Sequence, residues 1–294
     1  MKFLPLVPIA AVLSPGIAGA VSLITLDFSG AMTAVQRQAF IDAADYWNSA
    51  ITGYDLNYNA VGETQAHGLT ITASISAIDG SGGILASAGP DTATYYDDNP
   101  LGSPTRALYY TRTGTMEFDS ADASRLISNN TYYGVVLHEM AHVLGIGTLW
   151  TFNNDVNGTL YSLYLNGSGQ YTGPNALAAW QTEFLRSADT FVPVELGGGS
   201  GTADGHWDEI DYAAADTGIT SNLTGMDFSR ELMTGWASDE FFVSTVTLAA
   251  LDDLGYTVDY SKAGIIDHIP VPEPALPTLA LAASALLLQR RRRS

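Results

Sequence analysis

The spacing of apolar residues changes period along the chain, and the order of those periods predicts the fold. In VSLITLDFSG, Ile24, Leu26 and Phe28 alternate with Thr25 and Asp27 until Gly30. A period of two is that of a half-buried strand. From Thr33, in TAVQRQAFIDAADYWNSAI, the residues Phe40, Ala43, Ala44, Trp47 and Ile51 recur at helical spacing, with Thr33 placed as the cap and Gly53 as the stop. LTITASISAI (69–78) is β-branched and alternating, hence a second strand. DGSGG reads as a turn leading into a short strand at Gly83–Ala86. A loop rich in Tyr, Asp and Pro follows, then a strand around Met116 and Phe118.

NTYYGVVLHEMAHVLGIG (130–147) predicts a helix with Val135, Leu137, Met140, Ala141 and Leu144 on its apolar faces, ended by Gly145. Long Gly-, Asn- and Ser-rich loops fill the chain to about residue 225, broken by a short helix in PNALAAWQTEFLR. STVTLAALDDLGY predicts a last helix, from a Ser244 cap to Gly255. Strands and helices mixed in the first half, with a loop-rich second half, predict an α+β fold.

The two ends read as addresses. MKFLPLVPIAAVLSPGIAGA has a lysine, an apolar run and the small ending Ala18-Gly19-Ala20, the pattern of a signal peptide over residues 1–20. The C-terminal stretch carries Val271-Pro272-Glu273-Pro274, a short apolar run to Leu288 and Arg290–Arg293. It resembles the PEP-CTERM sorting signal of Gram-negative bacteria. The resemblance implies a tail over 268–294, transient membrane association through it, and an exosortase-type enzyme as partner. Export through the inner membrane to the cell surface, extracellular matrix or medium would follow. The body is then 21–267, divided into an N-terminal part (21–144) and a C-terminal part (145–267).

Charge narrows the partners. The net charge is −19, and with Lys2 and the four terminal arginines set aside only seven basic residues remain in the body. So acidic a surface repels nucleic acid and anionic membranes. The chain has no cysteine, so disulfides, thiolate metal sites and thiol catalysis are excluded.

Metal chemistry must then use His, Asp or Glu, and the predicted helix at 130–147 supplies both His and Glu. His138 and His142 are four residues apart and share one helical face, where both can reach one Zn2+ ion. Glu139 is turned by about 100° and is placed to act as a general base on a water there. Zinc needs a third protein ligand. In the shortest H-E-x-x-H-x-x-G-x-x-H pattern it would stand at residue 148, which is Thr148. Glu183 is one rival, although a Glu on a later helix does not need Gly145 to end this one. His67 reads as a surface residue beside a strand, and His268 belongs to the tail. His206, in GGGSGTADGHWDE, is the remaining histidine. Asn153–Thr159 is rich in oxygen atoms but lacks EF-hand spacing; a polar turn accounts for it, with bound Ca2+ the lesser reading.

These motifs, with IDGSGGILASAGP, GTMEFDSAD, ELMTG and DDLGY in the same order, resemble the leishmanolysin family of zinc metallopeptidases. That family, a branch of the metzincins, places a long insertion before its third histidine, and His206 lies 64 positions after His142. The resemblance implies a metzincin-type fold, zinc on His138, His142 and His206, Glu139 as base, and Met233 in a methionine turn. It also implies that Gly83, Ile84, Leu85 and Ala86 form the edge on which a protein or peptide substrate pairs. The chain departs from its parasite relatives in having no disulfides and no thiol for a cysteine switch. Two other functions fit parts of the same sequence: a surface or matrix adhesive protein with a vestigial peptidase fold, and a zinc hydrolase of a non-peptide bond.

Overall fold

The computed structural model describes residues 22–55, 68–97, 107–152, 155–156, 159–160, 163–209 and 216–266. The proposed signal peptide, the sorting tail, His67 and His268 lie outside them. The first strand, β1 (Ile24–Ser29), leads to α1 (Ala34–Ala50), which starts with a capping box. Gln36 N–H donates to Thr33 Oγ1 at 3.2 Å and Thr33 N–H donates to Gln36 Oε1 at 2.8 Å. The stop is not Gly53. The chain passes straight from α1 into β2 (Ile51–Tyr54), and Gly53 lies inside that strand. Pairing with a strand from the far end of the chain supplies hydrogen bonds that local signals do not reveal.

Next come β3 (Leu69–Ser76), β4 (Ala86–Asp97) and β5 (Ala107–Asp119). The main sheet has the order β1-β3-β5-β4, with β1, β3 and β5 parallel and β4 antiparallel at one edge. Two expectations change here. The strand foreseen at Gly83–Ala86 begins only at Ala86, and much of the Tyr/Asp/Pro-rich run is strand. Tyr96 and Tyr110 are buried on the core face, and Tyr95 and Tyr109 pair on the other. Tyrosine suits such a half-buried pleated surface, and Pro90 is tolerated because β4 is an edge.

A short helix, α2 (Ser120–Ser128), was not foreseen; Ala123 and Leu126 are its only buried apolar residues, too few to show a period. It leads to α3 (Tyr132–Leu144), which is apolar nearly all round because it is packed on most sides. It lies against the sheet and α1, and Trp47 Nε1 donates to the Leu137 carbonyl at 3.1 Å. Phe40, Phe118 and Tyr132 meet in tilted and edge-on contacts, with centroids 5.2–6.5 Å apart.

Beyond α3 regular structure is sparse among the described residues: β6 (Asp155–Val156), β7 (Thr159–Leu160), β8 (Gln170–Tyr171), α4 (Pro174–Glu183) and β9 (Val192–Pro193). Of the segment weighed for calcium, Asp155, Val156 and Thr159 are described and fall in the antiparallel pair of β6 and β7; Asn153, Asn154, Asn157 and Gly158 lie outside the described residues. After a one-turn 3-10 helix at Phe228–Arg230 come β10 (Phe242–Val243), α5 (Thr245–Asp253), β11 (Tyr256–Val258) and β12 (Gly264–Ile265). Ser244 caps α5 as foreseen. β11 pairs with β2 and closes the C-terminal part onto the N-terminal one. The molecule is α+β, with a mixed sheet and five α-helices among the described residues, as the metzincin expectation requires.

Candidate metal centre

His138 and His142 project from one face of α3, and the fold brings His206 to them. Their Nε2 atoms lie 3.0 Å (His138–His142), 3.0 Å (His138–His206) and 3.1 Å (His142–His206) apart. Among the described residues this is the one group of three His, Asp or Glu side chains gathered closely enough to hold a metal ion. Every outward-turned Nδ1 is bound to a backbone carbonyl: His138 to Leu232 at 2.7 Å, His142 to Ile146 at 2.9 Å and His206 to Thr202 at 2.8 Å.

Those three bonds fix the chemistry. A carbonyl only accepts, so each Nδ1 carries the proton and each Nε2 presents a lone pair. Three lone pairs then point at one another with no proton between them. That arrangement repels itself unless a cation stands in the middle. Burial first, and the neighbouring imidazole second, hold each of the three rings at a pKa of about 3, so protons do not fill that role near neutral pH. Nitrogen atoms bound tetrahedrally to zinc stand about 3.3 Å apart, from Zn–N bonds of about 2.0–2.1 Å. The donor set therefore fits that ion, and the carbonyls are the outer partners such histidines need.

The backbone explains how each carbonyl arrives. Gly145 ends α3 at φ 123°, and its N–H donates to Ala141 and His142 carbonyls at 3.1 Å. This sharp turn brings the Ile146 carbonyl back under His142. Thr148, where the short motif would place a histidine, instead donates to the His142 carbonyl at 2.7 Å. Gly147 lies so close to the returning chain that a Cβ on it would stand 2.3 Å from the Gly205 oxygen. Two residues beyond Gly147 and one beyond Gly205, Leu149 and His206 follow, so this contact sets where the third ring arrives. Trp207 anchors it: its ring stacks on Trp150 at 4.9 Å, its N–H donates to the Met233 carbonyl at 2.9 Å and its Nε1 to Thr247 Oγ1 at 2.9 Å.

Met233 is fully buried in the turn Glu231–Thr234, beside Leu232, whose carbonyl holds His138. Glu231, in the same turn, carries no spacing signal in the sequence. Its buried carboxylate accepts from Met233 N–H at 2.6 Å, Ser244 N–H at 3.0 Å, Ser244 Oγ at 2.9 Å and Thr247 Oγ1 at 2.6 Å. It fastens the turn around Met233 to the start of α5. Burial outweighs these donors and raises the carboxyl to about 7. The ELMTG motif held the signal, but a glutamate beside a methionine does not announce what it binds.

The rings open into a cleft of about 740 Å³ lined by Glu139, Glu195, Glu209, Trp236 and the segment Gly83–Ala86, among others. Glu139 lies on the cleft wall next to His138, and burial raises its carboxyl to about 8. A divalent cation nearby acts in the opposite sense. Glu183, the rival ligand, is elsewhere: its carboxylate accepts from Ser221 Oγ and Thr245 N–H, both at 2.7 Å, and ties α4 to α5. Gly83–Leu85 reach the cleft as the lead-in to β4 and not as a strand.

Residues 109–269 match the family model for leishmanolysin, Peptidase M8. The match spans more than half of the chain, from β5 past β12, and includes all three histidines, Glu139 and Met233. A comparison with curated proteins gave no match.

Proposed function

Because the chain belongs to the leishmanolysin family of metallopeptidases, we propose that it is an exported, zinc-dependent endopeptidase acting on proteins or peptides. The observation that carries this reading is the convergence of three unprotonated Nε2 atoms, each locked by a carbonyl on its other nitrogen. His138, His142 and His206 would hold the ion. When bound, zinc supplies Lewis acidity, polarising a peptide carbonyl and lowering the pKa of a water to about 7.

The remaining work belongs to this chain's own residues. Glu139 takes the proton from the attacking water and returns it to the nitrogen of the departing amine. The backbone at Gly83–Ala86 pairs with an extended substrate, so main-chain bonds hold many sequences alike. The methionine turn keeps the ring of His138 in register through Leu232. The pattern of the first 20 residues supports export, and the pattern of 268–294 supports sorting by an exosortase-type enzyme in a Gram-negative envelope, with delivery to the surface or matrix.

The test is Glu139→Gln in the purified protein, assayed on an unfolded protein substrate, with zinc measured by mass spectrometry. Proteolysis should fall by at least about 100-fold, the scale of general acid–base catalysis, with one zinc retained. Undiminished proteolysis would remove Glu139 from the mechanism. No zinc uptake by the wild type would remove the metallopeptidase reading.

A further inference from the structure

IDGSG (78–82) and FDSAD (118–122) take no part in the chemistry above, yet the fold joins them beside the cleft. Asp119 ends β5 and caps α2, Asp122 stands in the first turn of α2, and both are fully buried. Asp119 Oδ2 accepts the backbone N–H groups of Ile78, Asp79 and Gly80 at 3.0, 2.8 and 3.0 Å, and Oδ1 accepts that of Ala121 at 2.7 Å. Asp122 accepts the Gly82 N–H at 3.1 Å on both oxygens, and Arg125 reaches its Oδ1 at 2.6 Å. Every oxygen of the two carboxylates thus faces N–H donors. That environment favours the charged form.

The turn so held runs directly into the cleft edge. The Asp79 carboxylate accepts the Ile84 N–H at 3.2 and 3.0 Å, and the Asp119 N–H donates to the Leu85 carbonyl at 3.0 Å. Gly83 to Ala86 then line the cleft together with His138 and Glu139. At Gly83 a Cβ would stand 2.2 Å from Asp79 Oδ2, so a side chain there would push the Asp79 carboxylate off the Ile84 N–H.

We propose that Asp119 and Asp122 are positioning residues: they clamp four backbone N–H groups of the Ile78–Gly82 turn and so fix the edge Gly83–Ala86 against His138 and Glu139. Asp79 passes the constraint on to Ile84. That a substrate uses this edge rests on the peptidase reading. The segment Ile78–Gly83, with three glycines in six residues, has many conformations open to it. Without the clamp, each binding event would bear the cost of ordering it. The clamp therefore acts on substrate binding and leaves the proton transfer by Glu139 untouched.

The test uses the full-length, zinc-loaded protein with Asp122→Asn and, separately, Asp79→Ala. Asp79 is exposed, so that variant keeps the fold. Amide hydrogen exchange at 78–86 and at 132–144 is measured beside zinc content, KM and kcat on one peptide. Exchange at 78–86 and KM should each rise about tenfold, the effect of losing one charge-assisted hydrogen bond. Exchange in α3, zinc content and kcat should stay within about twofold, because the clamp does not touch the metal ligands. Wild-type exchange and KM in both variants would overturn the proposal, as would a fall in kcat or zinc at unchanged KM. If the wild type cleaves nothing, the peptidase reading fails by itself, and exchange still decides the clamp: no rise at 78–86 overturns it.

Discussion

At the scale of single residues, the centre depends on groups that orient the ligands as much as on the ligands. Glu231 illustrates this. Four donors surround its carboxylate, and one of them, Met233 N–H, is alone on Oε2. In Glu231→Gln the amide can keep its oxygen toward Ser244 and Thr247, but its NH2 then faces the Met233 N–H. Two donors face to face leave a buried group unsatisfied, at a cost of about 2 kcal/mol. The melting temperature should drop by about 4–8 °C. The displaced Leu232 carbonyl should weaken zinc retention by about 10–100-fold, the usual range for an outer partner. Calorimetry and competition with a chelator measure both; wild-type values in each would show that Glu231 does not hold the turn. HExxH was legible at this scale because it is a set of side chains at helical spacing. The carbonyls of Leu232, Ile146 and Thr202 were not, since every residue has a carbonyl and only the fold selects among them.

Among elements, the decisive contact is between the turn after α3 and the segment that delivers His206. Gly147 has φ 73° and almost touches Gly205. Gly147→Ala would place a methyl group against the Gly205 oxygen in a backbone conformation that disfavours it. We expect a loss of roughly 2 kcal/mol and at least about a tenfold loss in zinc affinity, because the backbone before His206 must retreat. Gly201→Ala serves as the control, since a Cβ there meets nothing within 4 Å. Equal zinc affinity in both variants would mean that the insertion tolerates displacement. The elements themselves were unevenly legible. α1, β3, α3 and α5 carried clear periods and formed where expected, except that α1 ends at Ala50 and not at Gly53. α2 was missed for want of apolar residues, and β2 and most of β4 because their pairing partners lie far along the chain or across a hairpin.

For the whole molecule, the carboxylates make stability depend on pH in two opposite ways. Asp119 is held at about 2, below its ordinary 3.8, by backbone N–H groups of Ala121, Asp79, Gly80 and Ile78. A lowered carboxyl stabilises the fold above pH 3.8, and that contribution disappears as pH falls through about 2. Burial raises Glu231 to about 7 and Asp253 to about 6. Raised carboxyls stabilise the fold fully below their unfolded values, and the contribution is lost as pH rises through about 6–7. Without metal the three imidazoles, held at about 3 against an ordinary 6.5, also cost stability as pH falls below 6.5. Thermal unfolding of the metal-free protein should therefore show its highest midpoint at about pH 6, falling toward both pH 3 and pH 8. A midpoint that rises steadily to pH 8 would show that the donors around Glu231 and Asp253 outweigh their burial. The sequence alone determined the α+β class, the helix with two histidines at metal-binding spacing, the absence of thiols and the small set of histidines that could complete the site, because residue identity and short-range spacing carry that information. Only the tertiary structure decided that His206, and not Glu183, joins the pair on α3, that backbone carbonyls fix all three tautomers, and that two buried aspartates hold the edge of the cleft. Those are relations between distant segments, and they exist only once burial has brought the segments into contact.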